Sequence, residues 1–145
     1  MPDDDRGARR RGRSRGSDIR SDARERALNI LYEAHSKETA PRAVASSHPI
    51  EPDELTMRLV EGVEDHRDEL DGLIREFAVN WTLERMPVLD VNIMRIAIFE
   101  LIHRRDVPMA VIIDEAVELA KRFSTDDSGK FVNGVLAAAA RRLRA

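Results

Sequence analysis

"LDVNIMRIAIFELIHR", residues 89–104, is the stretch on which the fold turns. Ile93, Ile96, Ala97 and Leu101 recur at helical spacing. Met94, Ile98 and Phe99 widen the apolar surface around much of the girth. A helix apolar over so much of its circumference has to be enclosed by other elements. The expectation is a central helix, and its flanks supply the packing partners.

Downstream, "RRDVP" (104–108) interrupts the apolar pattern. A further helix is expected over about Pro108–Phe123, with Ile112, Ala116, Leu119 and Ala120 on one face. Thr125–Ser128 read as a turn. A last helix, running to about Leu143, carries Phe131, Val132, Val135, Leu136 and Ala139. Upstream, a helix is expected from about Asp18 to His35, with Leu28, Leu31 and Tyr32 turned to the core. Residues 36–51, with Pro41 and Pro49, read as a loop. Pro52, Asp53 and Glu54 suit the start of a second helix, because proline tolerates the first position and acids favour the positive end. Leu55, Leu59, Val60 and Val63 form its stripe. A third helix carries Leu70, Leu73, Ile74 and Phe77, with Trp81 closing the stripe as a core residue. "TLERMP" (82–87) gives a short helical turn. No run alternates as a strand does, so the fold class is all-α, with about six to seven helices.

At 145 residues the chain suits one domain, and 42% hydrophobic residues suffice for a core. The absence of cysteine excludes disulfides and thiolate metal sites. No apolar run approaches the ~20 residues of a membrane span. The N-terminus lacks the apolar stretch of a secretory signal. A cytoplasmic protein is expected. Net charge is −3, yet residues 1–26 hold nine arginines against six acids, leaving −6 for residues 27–145. The organisation expected is a disordered basic arm over residues 1–17 and a helical domain over 18–145. Such an arm suits phosphate contacts as well as it suits a solvated tail.

Reactive constellations are missing. His35, His48, His66 and His103 form no i, i+4 metal pair. Asp114 and Glu118 share a helix face, where acids are ordinarily solvated. No phosphate-binding glycine pattern occurs. Neither catalysis nor a cofactor nor a metal is expected. What stands out is "TDDSGKFVNGVL", residues 125–136. Asp126, Asp127 and Ser128 suit a helix cap. Phe131 reads either as a core anchor or as a stacking platform beside Lys130, with Gly129 leaving room for a strand. Gly134 inside a helix costs about 1 kcal/mol relative to alanine, and close helix packing is its expected reason.

Residues 87–138 resemble the NusB family of bacterial transcription antitermination factors. The resemblance rests on "LD…MRIAIFEL" (89–101), "DVP" (106–108), "IDEAVELAKRF" (113–123) and "DDSGKFVNGVL" (126–136), with "ARERALNILYEA" (23–34) a weaker match. It implies a fold of two packed helical subdomains and an RNA-binding adaptor without catalytic activity. The implied ligand is single-stranded boxA RNA of ribosomal RNA leaders. It would be bound together with NusE, a small-subunit ribosomal protein, in an RNA polymerase complex with NusA and NusG. That complex suppresses premature termination and assists ribosomal RNA maturation. Residue by residue, the resemblance implies RNA contacts at Arg20, Arg24, Arg26, Asp127, Lys130 and Phe131, and a NusE-facing acid at Asp90. Ser21 and Asp22 stand where many members have basic residues. Two alternatives stay open. One is a protein-interaction adaptor or homodimer with a weak RNA surface. The other is a free-standing relative of the N-terminal domain of ribosomal RNA methyltransferases.

Overall fold

The computed structural model describes residues 15–145. All but the last three residues of the expected arm lie outside that range, and those three already belong to the first helix. Among the described residues there are seven α-helices and no strand. They are α1 (Arg15–Lys37), α2 (Pro41–Ser47), α3 (Glu54–Asp65), α4 (Arg67–Phe77), α5 (Val88–His103), α6 (Met109–Phe123) and α7 (Asp126–Leu143), with a 3₁₀ turn at Leu83–Arg85.

Helix α5 is the central pillar. Every residue from Asp90 to Leu101 except Arg95 is buried. On one side it meets α1 and α3, with α2 bridging those two. On the other it meets α4 and the α6–α7 hairpin. The two helical groups therefore share one core, from Leu28 and Ile30 through Ile93, Met94 and Ile98 to Leu119 and Leu136.

Local chemistry sets the ends. Asp53 caps α3 by accepting from the Thr56 N–H and hydroxyl. Proline stands directly before α5 and before α6. Glu38 and Asn80 take left-handed backbone conformations where the chain leaves α1 and α4. The end of α5 is held by one side chain: Arg144 donates to the carbonyls of Glu100 and Leu101 in its last turn and of Arg104 and Val107 just beyond it. A guanidinium has enough donors in a fixed fork to serve several carbonyls at once.

Four local expectations are corrected. The presumed loop 36–51 contains α2, which buries only Val44 and Ala45 and so gives too short a pattern to read. Tyr32 is 46% exposed, because the inward face of α1 is filled by Ala27, Ile30, Leu31 and Ala34 and Tyr32 lies past its edge. Trp81 is 53% exposed, beyond the end of α4. Gly134 is exposed, and a Cβ there would meet nothing within 4 Å, so no internal helix contact accounts for it.

Candidate nucleic-acid interface

The N-terminus of α7 is built by hydroxyls rather than by its acids. Thr125 is the cap, and its Oγ1 accepts from the Ser128 N–H at 2.9 Å. Helix α7 thus starts at Asp126, inside the stretch expected to be a turn. Ser128 points inward. Its Oγ donates to Asp90 Oδ2 at 2.7 Å, and Ser124 Oγ lies 2.9 Å from it. With the cap supplied by Thr125 and Ser128 engaged below, Asp126 and Asp127 are left exposed in the first turn, where the helix dipole favours acids.

This arrangement ties the start of α7 to the start of α5. Between them opens a cavity of about 200 Å3 lined by Trp81, Met86, Pro87, Asp90, Asp127 and Phe131, with Thr125 and Ser128 completing it. Phe131 is half-buried, and its ring meets Trp81 edge-on, with centroids 5.9 Å apart and planes at 64°. Phe131 packs against the core and also lines the cavity. Lys130 is fully on the outside beside it. The space expected at Gly129 is occupied from within: a Cβ there would lie 2.8 Å from Lys121 Cγ. Gly129 makes room for a lysine stem of α6, not for an approaching strand.

Asp127, Lys130 and Phe131 are therefore brought together, and Trp81 joins them. Trp81 was missed because its contact with Phe131 spans fifty residues of sequence. The α1 arginines divide. Arg20 is exposed. Arg26 donates to the carbonyls of Ile50 and Glu51 and secures the segment before α3. Arg24 is only 3% exposed, with its Nε 3.0 Å from Glu100 Oε2. Arg104 Nη1 engages Glu100 Oε1 at 3.1 Å. Arg24 is thus a core ion-pair residue and not a phosphate contact in this arrangement. Asp90 departs from expectation in the same direction. At 2% exposure it presents no charge to a docking protein. Its Oδ1, shielded from solvent, has no hydrogen-bond partner.

Among the described residues, no three histidine, cysteine or acidic side chains converge on a metal site, and no helix is long and apolar enough to cross a membrane.

Comparison with known proteins matches these features to one group. The family model described as "NusB family" matches residues 21–141. A transcription antitermination protein NusB of Acidothermus cellulolyticus is 50% identical over 123 residues, covering 82% of this chain and 85% of the relative. The solved structure of T. maritima NusB superposes with a TM-score of 0.77 at 30% identity, covering 84% of this chain and 90% of that one. A crystal structure of antitermination factors NusB and NusE in complex with dsRNA matches with a TM-score of 0.73 at 25% identity, covering 85% and 96%.

Proposed function

This chain belongs to the NusB family, and we propose that it acts as a transcription antitermination factor that binds boxA-type RNA together with NusE. The observation that carries this reading is the 50% identity to an antitermination protein across four-fifths of the chain. The cleft at the start of α7 gives the reading a physical basis. In this reading the exposed Lys130 meets a phosphate, the Phe131 ring stacks against an unpaired base, and Asp127 accepts from a base edge. Single-stranded RNA is recognised through stacking on aromatics and hydrogen bonds to base edges. Arg20 adds a second exposed cation on α1. Arg24 is buried in an ion pair and Asp90 against Ser128, so neither offers an exposed charge to a partner. Residues 18–145 act as the RNA-binding domain, and the arginine-rich residues 1–17 add phosphate contacts that carry no sequence information. The protein works as a cytoplasmic, non-catalytic adaptor in a complex with NusE, NusA, NusG and RNA polymerase.

The test is a titration of boxA-type RNA against the wild-type chain and Phe131→Ala, with and without NusE, alongside thermal melting. Stacking on one aromatic is worth ~1–3 kcal/mol, so Phe131→Ala should weaken RNA binding by roughly one to two decades. Loss of melting temperature with unchanged affinity of the folded protein would return Phe131 to the core. Failure of the wild type to bind RNA with NusE present would overturn the reading as a whole.

A further inference from the structure

We propose that a second cavity, where α1, α3, α4 and α5 meet, binds a short peptide with free ends, Glu38 taking its ammonium and Arg67 its carboxylate. The site is separate from the RNA-binding reading above and does not depend on it.

The cavity measures about 550 Å3, within the ~300–1,000 Å3 of small-ligand sites. It shares no lining residue with the cleft at the start of α7. Helix α5 contributes to both, but through different sides. Asp90 lines the cleft, whereas Asn92 and Arg95 line this cavity; two positions along a helix are turned by about 200°. Leu31, Ala34, Pro41 and Val63 supply apolar lining.

The charged groups of the lining divide into those already paired and those left over. Glu64 accepts from the backbone N–H and the guanidinium of Arg42, which Asp65 also holds. Arg95 donates to both oxygens of Asp71, at 2.7 and 3.1 Å, and to Asn92 Oδ1 at 2.9 Å. These two are accounted for inside the fold. Arg67 comes no closer than 3.9 Å to Asp71, which Arg95 already occupies. The Glu38 carboxylate is exposed and has no hydrogen bond or ion pair among the described residues. Glu38 and Arg67 therefore line one cavity without pairing with each other.

Glu38 is also poorly suited to its place. Its φ is 51° where the chain leaves α1, a conformation that favours glycine or asparagine. Its charge stands at the negative end of the α1 dipole. The fold gains nothing from an acid there, whereas a bound cation would be held by it. A metal ion or a phosphate would satisfy one of the two charges and be repelled by the other. A free amino acid carries both its charges on one carbon. A dipeptide separates them by the length of a residue, which suits two side chains too far apart to pair. Its aliphatic groups meet the apolar lining, and arginine holds a carboxylate through two parallel N–H bonds.

The experiment titrates the full chain with leucyl-leucine, its N-acetyl form, its C-terminal amide and free leucine, followed by backbone amide shifts in NMR. Wild type should bind leucyl-leucine about tenfold more tightly than either blocked form, the scale of one charge-assisted hydrogen bond. The shifts should centre on Glu38, Thr39 and Arg67. Glu38→Gln should abolish the effect of N-acetylation and keep that of amidation, and Arg67→Gln should do the reverse. Both variants should bind RNA as wild type does, since neither residue borders the cleft. Equal binding of free and blocked peptides overturns the inference, and so do shifts confined to residues away from this cavity. Tighter binding of leucine than of the dipeptide also overturns it, because the charges would then be read together. No binding at millimolar peptide overturns it as well and leaves the RNA reading intact. The blocked peptides need no substitution, so they decide the matter even if a variant folds poorly.

Discussion

Helix α5 buries two acids, and they are treated in opposite ways. Glu100, near its C-terminal end, is 1% exposed and has both oxygens engaged, by Arg24 from α1 and by Arg104 from its own helix. Asp90, in its first turn, has one oxygen on a serine and the other on nothing. A buried carboxylate facing two guanidiniums is accounted for inside the fold. A buried carboxylate with one oxygen on a serine is anchored by a single side-chain hydrogen bond. The first acid is a rivet between helices and the second a lighter tie, although both are acids on one helix.

The sharpest way to break this comparison is to remove the rivet. Glu100→Ala leaves two arginines buried with no anion between them, and removing one partner of a buried pair typically costs ~3–5 kcal/mol. Denaturant unfolding should register that loss. Arg24→Ala should cost less, because Glu100 retains Arg104. The folded fraction of Arg24→Ala should bind RNA with an unchanged salt dependence. A shallower log–log slope, by ~0.7 for each lost phosphate contact on a single strand, would mean that Arg24 leaves the core to meet RNA. Equal stability of Glu100→Ala and wild type would erase the distinction between the two acids.

Glycines give the second contrast. Gly62 on α3 is needed from within: a Cβ there would lie 2.3 Å from the Phe99 ring of α5. That ring cannot retreat freely, since it sits against both His66 and His103, with centroids 5.9 and 4.8 Å away. Gly62→Ala should therefore destabilise by ~1–3 kcal/mol through overpacking. Thermal melting measures it. Adding Phe99→Leu to Gly62→Ala should cost less than the two single changes together, because they act on one space.

These contrasts also mark what the sequence could and could not express. The girth of α5, the stripes of α3, α6 and α7 and the all-helical architecture follow from spacing alone, since periodicity reports which faces are apolar. So does the proximity of Asp127, Lys130 and Phe131 at the start of α7, because they are neighbours in the chain. Charged residues that are buried leave no such trace. Arg24 and Glu100 are separated by 76 positions, and Asp90 and Ser128 by 38. Nothing local marks Arg24 as different from the exposed Arg20. The resemblance to a family likewise transfers residue types, but the burial of Asp90 depends on Ser128 reaching across from another helix. Trp81 failed for the opposite reason. It continued an apolar stripe by spacing, but α4 ends at Phe77 before reaching it.

The smallest effect has the opposite sign. Gly134 lies inside α7, where glycine costs ~1 kcal/mol relative to alanine because the unfolded chain has more freedom to lose. At Gly62 a Phe99 ring explains the missing side chain; at Gly134 no atom stands within 4 Å of the place where a Cβ would be. Gly134 follows Lys130 by four positions, so the two lie on one face of α7, one turn apart. The free protein should gain up to ~1 kcal/mol from Gly134→Ala, visible as a modest rise in melting temperature. Were melting temperature to fall, the glycine would have an internal role that the geometry does not reveal. A rise accompanied by weaker binding of RNA or NusE would show that a partner's backbone closes on this face beside Lys130. A rise with unchanged binding of both would leave Gly134 without a role in either association and confine the interface to the cleft at the helix start. The stability of the free chain and the affinity for each partner thus divide the glycine's cost between fold and function.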